Sequence, residues 1–148
     1  MHKDYRSKQY RKKFEKNEDS KITHTSYTLY YHLVWSVKKR FPLITESVPF
    51  ELEKFVKIKC RELDVHLLEI GINQEHVHAI LSLKPAHYIP EIVKQVKGFS
   101  VHEINKTKQD YIKWTRGYSI RTISKKDLPI AIGYVKNQRM HHVDIDRN

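Results

Sequence analysis

The chain has 148 residues, with 28 Lys and Arg against 17 Asp and Glu, and its formal net charge at pH 7 is +11. The length suits one domain with a single core, and a hydrophobic content of 39% excludes a disordered or fibrous protein. No apolar run approaches the roughly 20 residues that cross a bilayer, and the lone Cys60 excludes an internal disulfide and a multi-cysteine zinc site. The excess of positive charge suits a protein that binds nucleic acid.

The first 24 residues are predicted to be a basic N-terminal arm. Residues 1–22 contain eight Lys or Arg, four acids and few aliphatic side chains, without a clear period. A solvated tail and an arm that contacts phosphates both fit this composition, and the lack of a motif slightly favours the tail. No apolar stretch typical of a secretion signal follows the basic start, so we expect a cytoplasmic protein.

Hydrophobic periodicity predicts one domain over residues 25–143, followed by a short tail of residues 144–148. Aromatic and β-branched runs indicate strands, and apolar residues at helical spacing indicate helices. The predicted elements are a strand at Tyr27–Ser36, a helix at Leu52–Leu63, strands at Val65–Asn73 and His76–Leu83, a helix at Ile89–Ile104, a strand at Tyr118–Ile123 and a helix at Leu128–His141 that is capped by Asp127.

The first six predicted elements have the split βαβ order of a ferredoxin-like, α+β fold. Such a fold packs two helices on one face of a four-stranded antiparallel sheet. The other face is then expected to be free for a ligand.

The third predicted strand carries the sharpest local signal, Glu75-His76-Val77-His78-Ala79-Ile80-Leu81-Ser82-Leu83. Because side chains alternate along a strand, His76 and His78 share one face, and the opposite face suits the core. Two neutral imidazoles at this spacing reach one cation if a third group and open positions complete the site. On spacing alone, two surface histidines without a function are the commoner interpretation, because the chain has ten histidines.

The last predicted helix carries Tyr134 and Gln138 at positions i and i+4, on one helix face. A tyrosine hydroxyl can attack phosphorus and form a phosphotyrosine, and it needs a cation that neutralises the phosphate. The amide oxygen of Gln138 can serve as a ligand of that cation. From these residues alone, packing of Tyr134 on the sheet as an amphipathic anchor is still favoured.

Four segments together resemble the single-tyrosine HUH transposases of the IS200/IS605 group, which include the REP-associated tyrosine transposases. The segments occur in family order and at family spacings over about residues 25 to 140. They are Tyr31-His32-Leu33-Val34-Trp35-Ser36, Glu75-His76-Val77-His78-Ala79-Ile80-Leu81, Trp114-Thr115-Arg116-Gly117-Tyr118-Ser119-Ile120-Arg121-Thr122 and Tyr134-Val135-Lys136-Asn137-Gln138.

The resemblance implies an enzyme that cleaves and rejoins single-stranded DNA, often beside a hairpin, through a 5′-phosphotyrosine link. It implies that Tyr134 is the nucleophile and that His76, His78 and Gln138 bind Mg²⁺ or Mn²⁺. It also implies a homodimer, in which the tyrosine helix can come from the partner subunit, and a cytoplasmic, nucleoid-associated protein that binds no membrane. Strand four lacks a glycine that the family often has, and Gly133 beside Tyr134 could replace it as a hinge.

Other residues carry weaker expectations. His32 lies on a central predicted strand, where a buried, hydrogen-bonded histidine is favoured over a metal ligand. Taken singly, a solvated charge is the simpler interpretation of each basic residue. The candidates for DNA binding are Lys38, Lys39, Arg40, Arg116, Arg121, Lys125 and Lys126.

A second class of function stays open beside the enzyme. A nucleic-acid-binding module that uses the same sheet without chemistry, such as a domesticated descendant or a REP-type hairpin-binding protein, fits the basic charge and the ferredoxin-like order equally well. The complete set of His76, His78, Tyr134 and Gln138 favours the enzyme.

Overall fold

The computed structural model of the protein describes residues 25–38, 48–107 and 112–146, and only the backbone is described for Thr107 and for residues 139–146. The predicted N-terminal arm and two candidate DNA-binding residues, Lys39 and Arg40, lie outside the described residues. In the part that is described, no helix is long and apolar enough to cross a membrane.

The order of the elements confirms the predicted β-α-β-β-α-β-α succession. The elements are β1 (Tyr30–Ser36), α1 (Val48–Glu62), β2 (His66–Ile72), β3 (His76–Ser82), α2 (Ile89–Thr107), β4 (Ser119–Ile123) and α3 (Leu128–Asp146). The predicted start of the first strand at Tyr27 is wrong, because Tyr27 and Thr28 are exposed and the sheet pairing begins at Tyr30.

The helices are longer than their apolar periodicity predicted. α1 begins at Val48, which is fully buried, and Pro49 occupies its first turn, where proline is well tolerated. α3 continues to Asp146 rather than ending at His141. Asp127 directly precedes α3 and its carbonyl accepts the N–H of Ala131, as expected for the predicted N-cap.

Among the described residues, four antiparallel strands form one sheet in the order β2-β3-β1-β4. α1 and α2 pack against each other and cover one face of the sheet. This arrangement confirms the ferredoxin-like, α+β fold. Because β1 and β3 are the two inner strands, residues that they carry lie at the centre of the sheet.

The core lies between the sheet and the pair α1 and α2. As the strand alternation predicted, the side chains of β3 that face the helices are buried. Burial of each valine or leucine among them contributes about 1.5–3 kcal/mol to folding. Members of this core include Leu33, Trp35, Leu52, Val56, Val77, Ala79, Leu81, Leu83, Val93, Val96 and Ile104.

The end of α1 sets the chain direction into β2. Asp64 has a left-handed backbone with φ of 57°, the N–H of Val65 donates to the carbonyl of Cys60, and that of Asp64 donates to Arg61. These bonds form a Schellman motif, which satisfies carbonyls that the helix end leaves free. The buried Val65 then leads directly into the sheet.

The prediction that the opposite face of the sheet is free is wrong for its β2 and β3 side, because α3 packs there. Gly71 makes this approach possible, since a Cβ at that position would lie only 2.3 Å from the carbonyl oxygen of Val135. Val135 and Ile80 are fully buried. The β4 side of the same face stays open, and Ser119 and Arg121 are exposed there.

Candidate active site

Strand pairing brings three histidines to the face on which α3 packs. Directly opposed residues of neighbouring strands share a face. His78 is opposite Gly71, which contacts α3, and His32 is opposite Arg121 on β4. The alternation along β3 adds His76 to the same face. The candidate site therefore contains a patch of three imidazoles at the centre of the sheet, with an exposed arginine beside it.

The imidazoles of His32 and His78 are in direct contact. Nε2 of His32 and Nδ1 of His78 are 3.1 Å apart and form a hydrogen bond whose direction depends on the tautomers. The ring centroids of His76 and His78 are 6.0 Å apart. His78 is 8% exposed, whereas His32 and His76 are half-buried. The expected hydrogen bond of His32 is confirmed, and its partner, His78, is one of the three predicted metal ligands.

The surroundings of His32 and His78 favour the neutral forms of these two imidazoles. Burial, followed by the charge that His32 and His76 acquire on protonation, lowers the pKa of His78 to about 4. The pKa of His32 is lowered as well, first by burial and then by the positive charge of Arg121. Both imidazoles are therefore neutral at pH 7, the form in which imidazole binds a metal ion.

α3 places Tyr134 next to the histidines of the same chain. The centroid of its ring is 5.9 Å from that of His78 and 6.0 Å from that of His32, and both contacts are edge-on. Tyr134 is 50% exposed, whereas the following residue, Val135, is fully buried. Val135 therefore anchors the helix on the sheet, and Tyr134 is accessible to a ligand.

Asn73 connects Gln138 to the hairpin between β2 and β3. Its Nδ2 donates a hydrogen bond of 3.1 Å to Oε1 of Gln138. Its Oδ1 accepts the N–H groups of Glu75 at 3.0 Å and His76 at 2.8 Å. One amide side chain thus holds the start of β3 and the predicted third ligand together, and Oε1 of Gln138 keeps a second lone pair for a cation.

The structure brings two of the five described DNA-binding candidates close to this site. Arg121 is opposite His32, and Arg116 lines a cavity together with His76. Lys38 follows β1, and Lys125 and Lys126 lie in the turn before α3. These three lysines are exposed, as solvated charges are.

Comparison with known proteins identifies the family. The family model described as "Transposase IS200 like" matches residues 25–138. The chain belongs to the IS200-like transposase family. The ISDra2 transposase TnpA of Deinococcus radiodurans is 26% identical to this transposase over 119 residues, and the match covers 76% of this chain and 85% of the relative.

Two solved structures share the fold of this transposase. A transposase from Deinococcus radiodurans superposes with a TM-score of 0.64 at 24% identity and covers 80% of this chain and 96% of its own. A REP-associated tyrosine transposase bound to a REP hairpin has a TM-score of 0.62 at 14% identity, with coverages of 82% and 74%. The resemblance to the IS200/IS605 group is therefore confirmed, and the protein is a transposase that acts on DNA.

The donor set of the transposase fits a divalent cation. His76, His78 and Gln138 offer two imidazole nitrogens and one amide oxygen, and three protein ligands leave positions open for a substrate. Within the described ranges, no cluster of three or more His, Cys, Asp or Glu could hold a metal ion. A cation held by His76 and His78 would therefore take its third protein ligand from another residue type, and the amide of Gln138 is the candidate.

Sequence reasoning missed the part that His32 and Asn73 have in this site. His32 was expected only as a structural histidine, because its contact with His78 depends on which strands are neighbours. Asn73 precedes the turn at Gln74 and Glu75, and asparagine at such a position is typical of a side chain that accepts backbone N–H groups. That signal could have predicted the turn contacts of Asn73, although not its bond to Gln138.

Proposed function

We propose that this transposase cleaves and rejoins single-stranded DNA through a 5′-phosphotyrosine intermediate on Tyr134, with a divalent cation held by His76, His78 and Gln138. The main observation in support of this proposal is the position of Tyr134. The centroid of its accessible ring lies 5.9 Å from that of the neutral imidazole of His78 within one chain. A residue that only packs α3 on the sheet has no need of this exposure, and Val135 already packs there.

The chemistry that suits this arrangement is a two-step transfer. The hydroxyl oxygen of Tyr134 attacks the phosphorus of a phosphodiester, the bond to the 3′ oxygen breaks, and that oxygen leaves as a 3′-OH with the proton that the tyrosine loses. The phosphate stays joined to the 5′ oxygen of the nucleotide that follows the break. A 3′-OH of another strand then attacks the phosphotyrosine and releases Tyr134 with its proton restored. No ATP is required, because the phosphotyrosine conserves the phosphodiester bond energy.

Residues around Tyr134 have separate parts in this reaction. When bound, Mg²⁺ or Mn²⁺ neutralises the scissile phosphate and polarises its oxygens. Asn73 orients the amide of Gln138 by a 3.1 Å hydrogen bond. Arg121, which is exposed on the same face beside His32, contacts the flanking phosphates.

The substrate in this proposal is a strand that carries a hairpin, and the active form is a homodimer. The net charge of +11 suits a phosphate-rich ligand. A structural relative is bound to a REP hairpin, which supports the same class of DNA here. Light scattering of the full chain, alone and with hairpin DNA, tests the dimer.

Covalent adduct formation tests the proposed chemistry. Labelled single strands that cover the DNA on both sides of the gene are incubated with the full chain and Mn²⁺, and adducts are separated on denaturing gels. We expect an adduct with the wild-type protein and none with Tyr134→Phe, because phenylalanine lacks the nucleophile. Tyr88→Ala serves as the control, since Tyr88 is 70% exposed and does not belong to the site. An adduct that persists in Tyr134→Phe would contradict the assignment.

The cation is tested in the same assay. EDTA, His76→Ala and Gln138→Ala should each abolish or strongly reduce the adduct, whereas His66→Ala, at an exposed histidine on β2, should leave it intact. Full activity in EDTA would contradict metal dependence. Tight hairpin binding by the wild-type protein without any adduct would instead support a non-catalytic DNA-binding module.

A further inference from the structure

A cavity lies directly beside the candidate active site. It has a volume of about 270 Å³ and is bounded by the end of β1, by His76 and by the segment that leads into β4. This volume is just below the roughly 300–1,000 Å³ of pockets for drug-sized ligands. The size therefore suits one base or one nucleotide rather than a longer piece of DNA.

The wall of this cavity is built by residues 115–119 and is held in place by α2. Nζ of Lys97 donates hydrogen bonds to the carbonyls of Thr115 at 3.0 Å and Gly117 at 2.9 Å. Hydrogen bonds from a charged donor are among the stronger ones. Gly117 has a φ of 82°, a left-handed conformation that side chains rarely adopt. The segment is therefore fixed before any ligand arrives.

A second set of bonds ties the same segment to β1. The N–H of Thr115 donates to the carbonyl of Ser36 at 2.9 Å, and the hydroxyls of the two residues are 2.8 Å apart. On the α2 side, Trp114, which directly precedes the segment, donates its indole N–H to the carbonyl of Lys97 at 2.9 Å. A preorganised wall lowers the entropic cost of binding a ligand.

The lining has the chemistry of a nucleotide site. Tyr118 is 39% exposed and offers an aromatic ring, Arg116 is exposed and offers a guanidinium, and Ser36 and Ser119 offer hydroxyls. None of the described residues that line the cavity is Asp or Glu. Aromatic rings stack on bases, and arginine forms paired hydrogen bonds with phosphate. Because His76 forms another part of the lining, the ligand lies next to the predicted cation site.

We propose that this cavity binds one nucleotide of the single-stranded substrate immediately beside the scissile phosphate, with the base against Tyr118 and the adjoining phosphate on Arg116. The inference deepens the proposed function, on which it rests for the position of the scissile phosphate at His76. A site of this kind selects the base next to the cut and thereby contributes to the choice of target sequence.

The first test is independent of catalysis. Amide spectra of the ¹⁵N-labelled full chain are recorded with each of the four 2′-deoxynucleoside 5′-monophosphates and with inorganic phosphate. We expect saturable shifts at Ser36 and residues 115–119 with at least one nucleotide, and different shifts with inorganic phosphate. Tyr118→Ala should weaken nucleotide binding roughly fivefold or more, since stacking contributes about 1–3 kcal/mol per base. Tyr88→Ala, which removes an exposed tyrosine elsewhere, should leave it unchanged.

Three results would overturn the cavity as a nucleotide site. These are shifts that map to another part of the protein, identical shifts with inorganic phosphate, and equal affinities for Tyr118→Ala and Tyr88→Ala. The spectra of each variant also show whether it is folded.

The second test uses target choice. Single strands with a randomised segment are incubated with protein and Mn²⁺, and the DNA in covalent adducts is sequenced. Tyr118→Ala should change the base preference at one position beside the cut, whereas Lys94→Ala, at an exposed lysine of α2, should not. Arg116→Ala should lower the adduct yield and keep the preference, because a phosphate contact carries no sequence information. An unchanged preference in Tyr118→Ala would contradict the inference. If the wild-type protein forms no adduct at all, the proposed function fails, and the nucleotide spectra still decide the cavity.

Discussion

His32 and His78 are joined by a 3.1 Å hydrogen bond between Nε2 of the first and Nδ1 of the second, across the pairing of β1 with β3. Histidines that bind metals nearly always donate their other ring N–H to a neighbouring acceptor, which fixes the tautomer. If Nδ1 of His78 is the donor, Nε2 of His78 carries a free lone pair for the cation. His32 would then position a ligand without being one.

Substitution of His32 tests this relationship. His32→Gln retains an acceptor for the N–H of His78, whereas His32→Phe removes it and keeps a ring of similar size. Because such partners typically change metal affinity by roughly 10–100-fold, we expect His32→Phe to weaken Mn²⁺ binding by about that factor and His32→Gln to weaken it less. Calorimetric titration with Mn²⁺ measures both. Equal affinities for the two variants and the wild-type protein would exclude the positioning role.

Gly71 and Gly98 form a matched pair for testing how α3 is seated. A Cβ on Gly71 would lie 2.3 Å from backbone oxygen of Val135, whereas one on Gly98 would meet nothing within 4 Å. Gly71→Ala should therefore lower the free energy of unfolding by about 1–3 kcal/mol, as overpacked sites do. Gly98→Ala should raise it by about 0.5–1 kcal/mol, because alanine favours a helix. Urea denaturation distinguishes these signs, and an unaffected Gly71→Ala would contradict the close approach.

The bond between Asn73 and Gln138 predicts coupling between the hairpin and α3. In a double-mutant cycle of Asn73→Ala and Gln138→Ala, we expect a coupling in the free energy of unfolding of roughly 0.5–1.5 kcal/mol, the usual contribution of one hydrogen bond. Asn73→Ala alone should cost more than Gln138→Ala, since it also removes the acceptor for the N–H groups of Glu75 and His76. Strictly additive effects would show that the bond contributes nothing to stability.

Cys60 predicts a pH effect in the core. Burial raises the pKa of its thiol to about 11 from an ordinary value near 9.0. The unfolded chain ionises the thiol at lower pH than the folded chain does. The contribution of this pKa difference to the free energy of unfolding is therefore fully present below about pH 9 and is lost as pH rises towards 11. At pH 8 the folded protein should react with iodoacetamide roughly 100-fold more slowly than the chain in guanidinium. Equal rates would indicate an accessible thiol.

Much of the fold follows from local patterns. The apolar and polar alternation along β3 predicted which side chains enter the core, and the apolar spacing in α1 and α2 predicted the helices. The covering of the second face by α3 could not be predicted in this way. It depends on a close approach between Gly71 and Val135, which are far apart in sequence, and no local period reports such a contact.

In the candidate site, too, local patterns predicted some residues, whereas contacts between distant parts of the chain add the others. His76 with His78 and Tyr134 with Gln138 are each neighbours on one element, so strand and helix periods predicted each pair. The family resemblance joined the two pairs into one set. His32 and Asn73 enter the site through a strand pairing and a hairpin-to-helix bond, which exist only in the folded chain.

Locating the covalent bond to DNA tests the role of Tyr134 as the nucleophile. Wild-type protein is incubated with Mn²⁺ and single-stranded DNA from the flanks of the gene, the adduct is digested with protease and nuclease, and the modified peptide is sequenced by mass spectrometry. We expect a 5′-linked nucleotide on the hydroxyl of Tyr134 and on no other residue. A nucleotide on any of the other tyrosines, on a serine or on a histidine would contradict it.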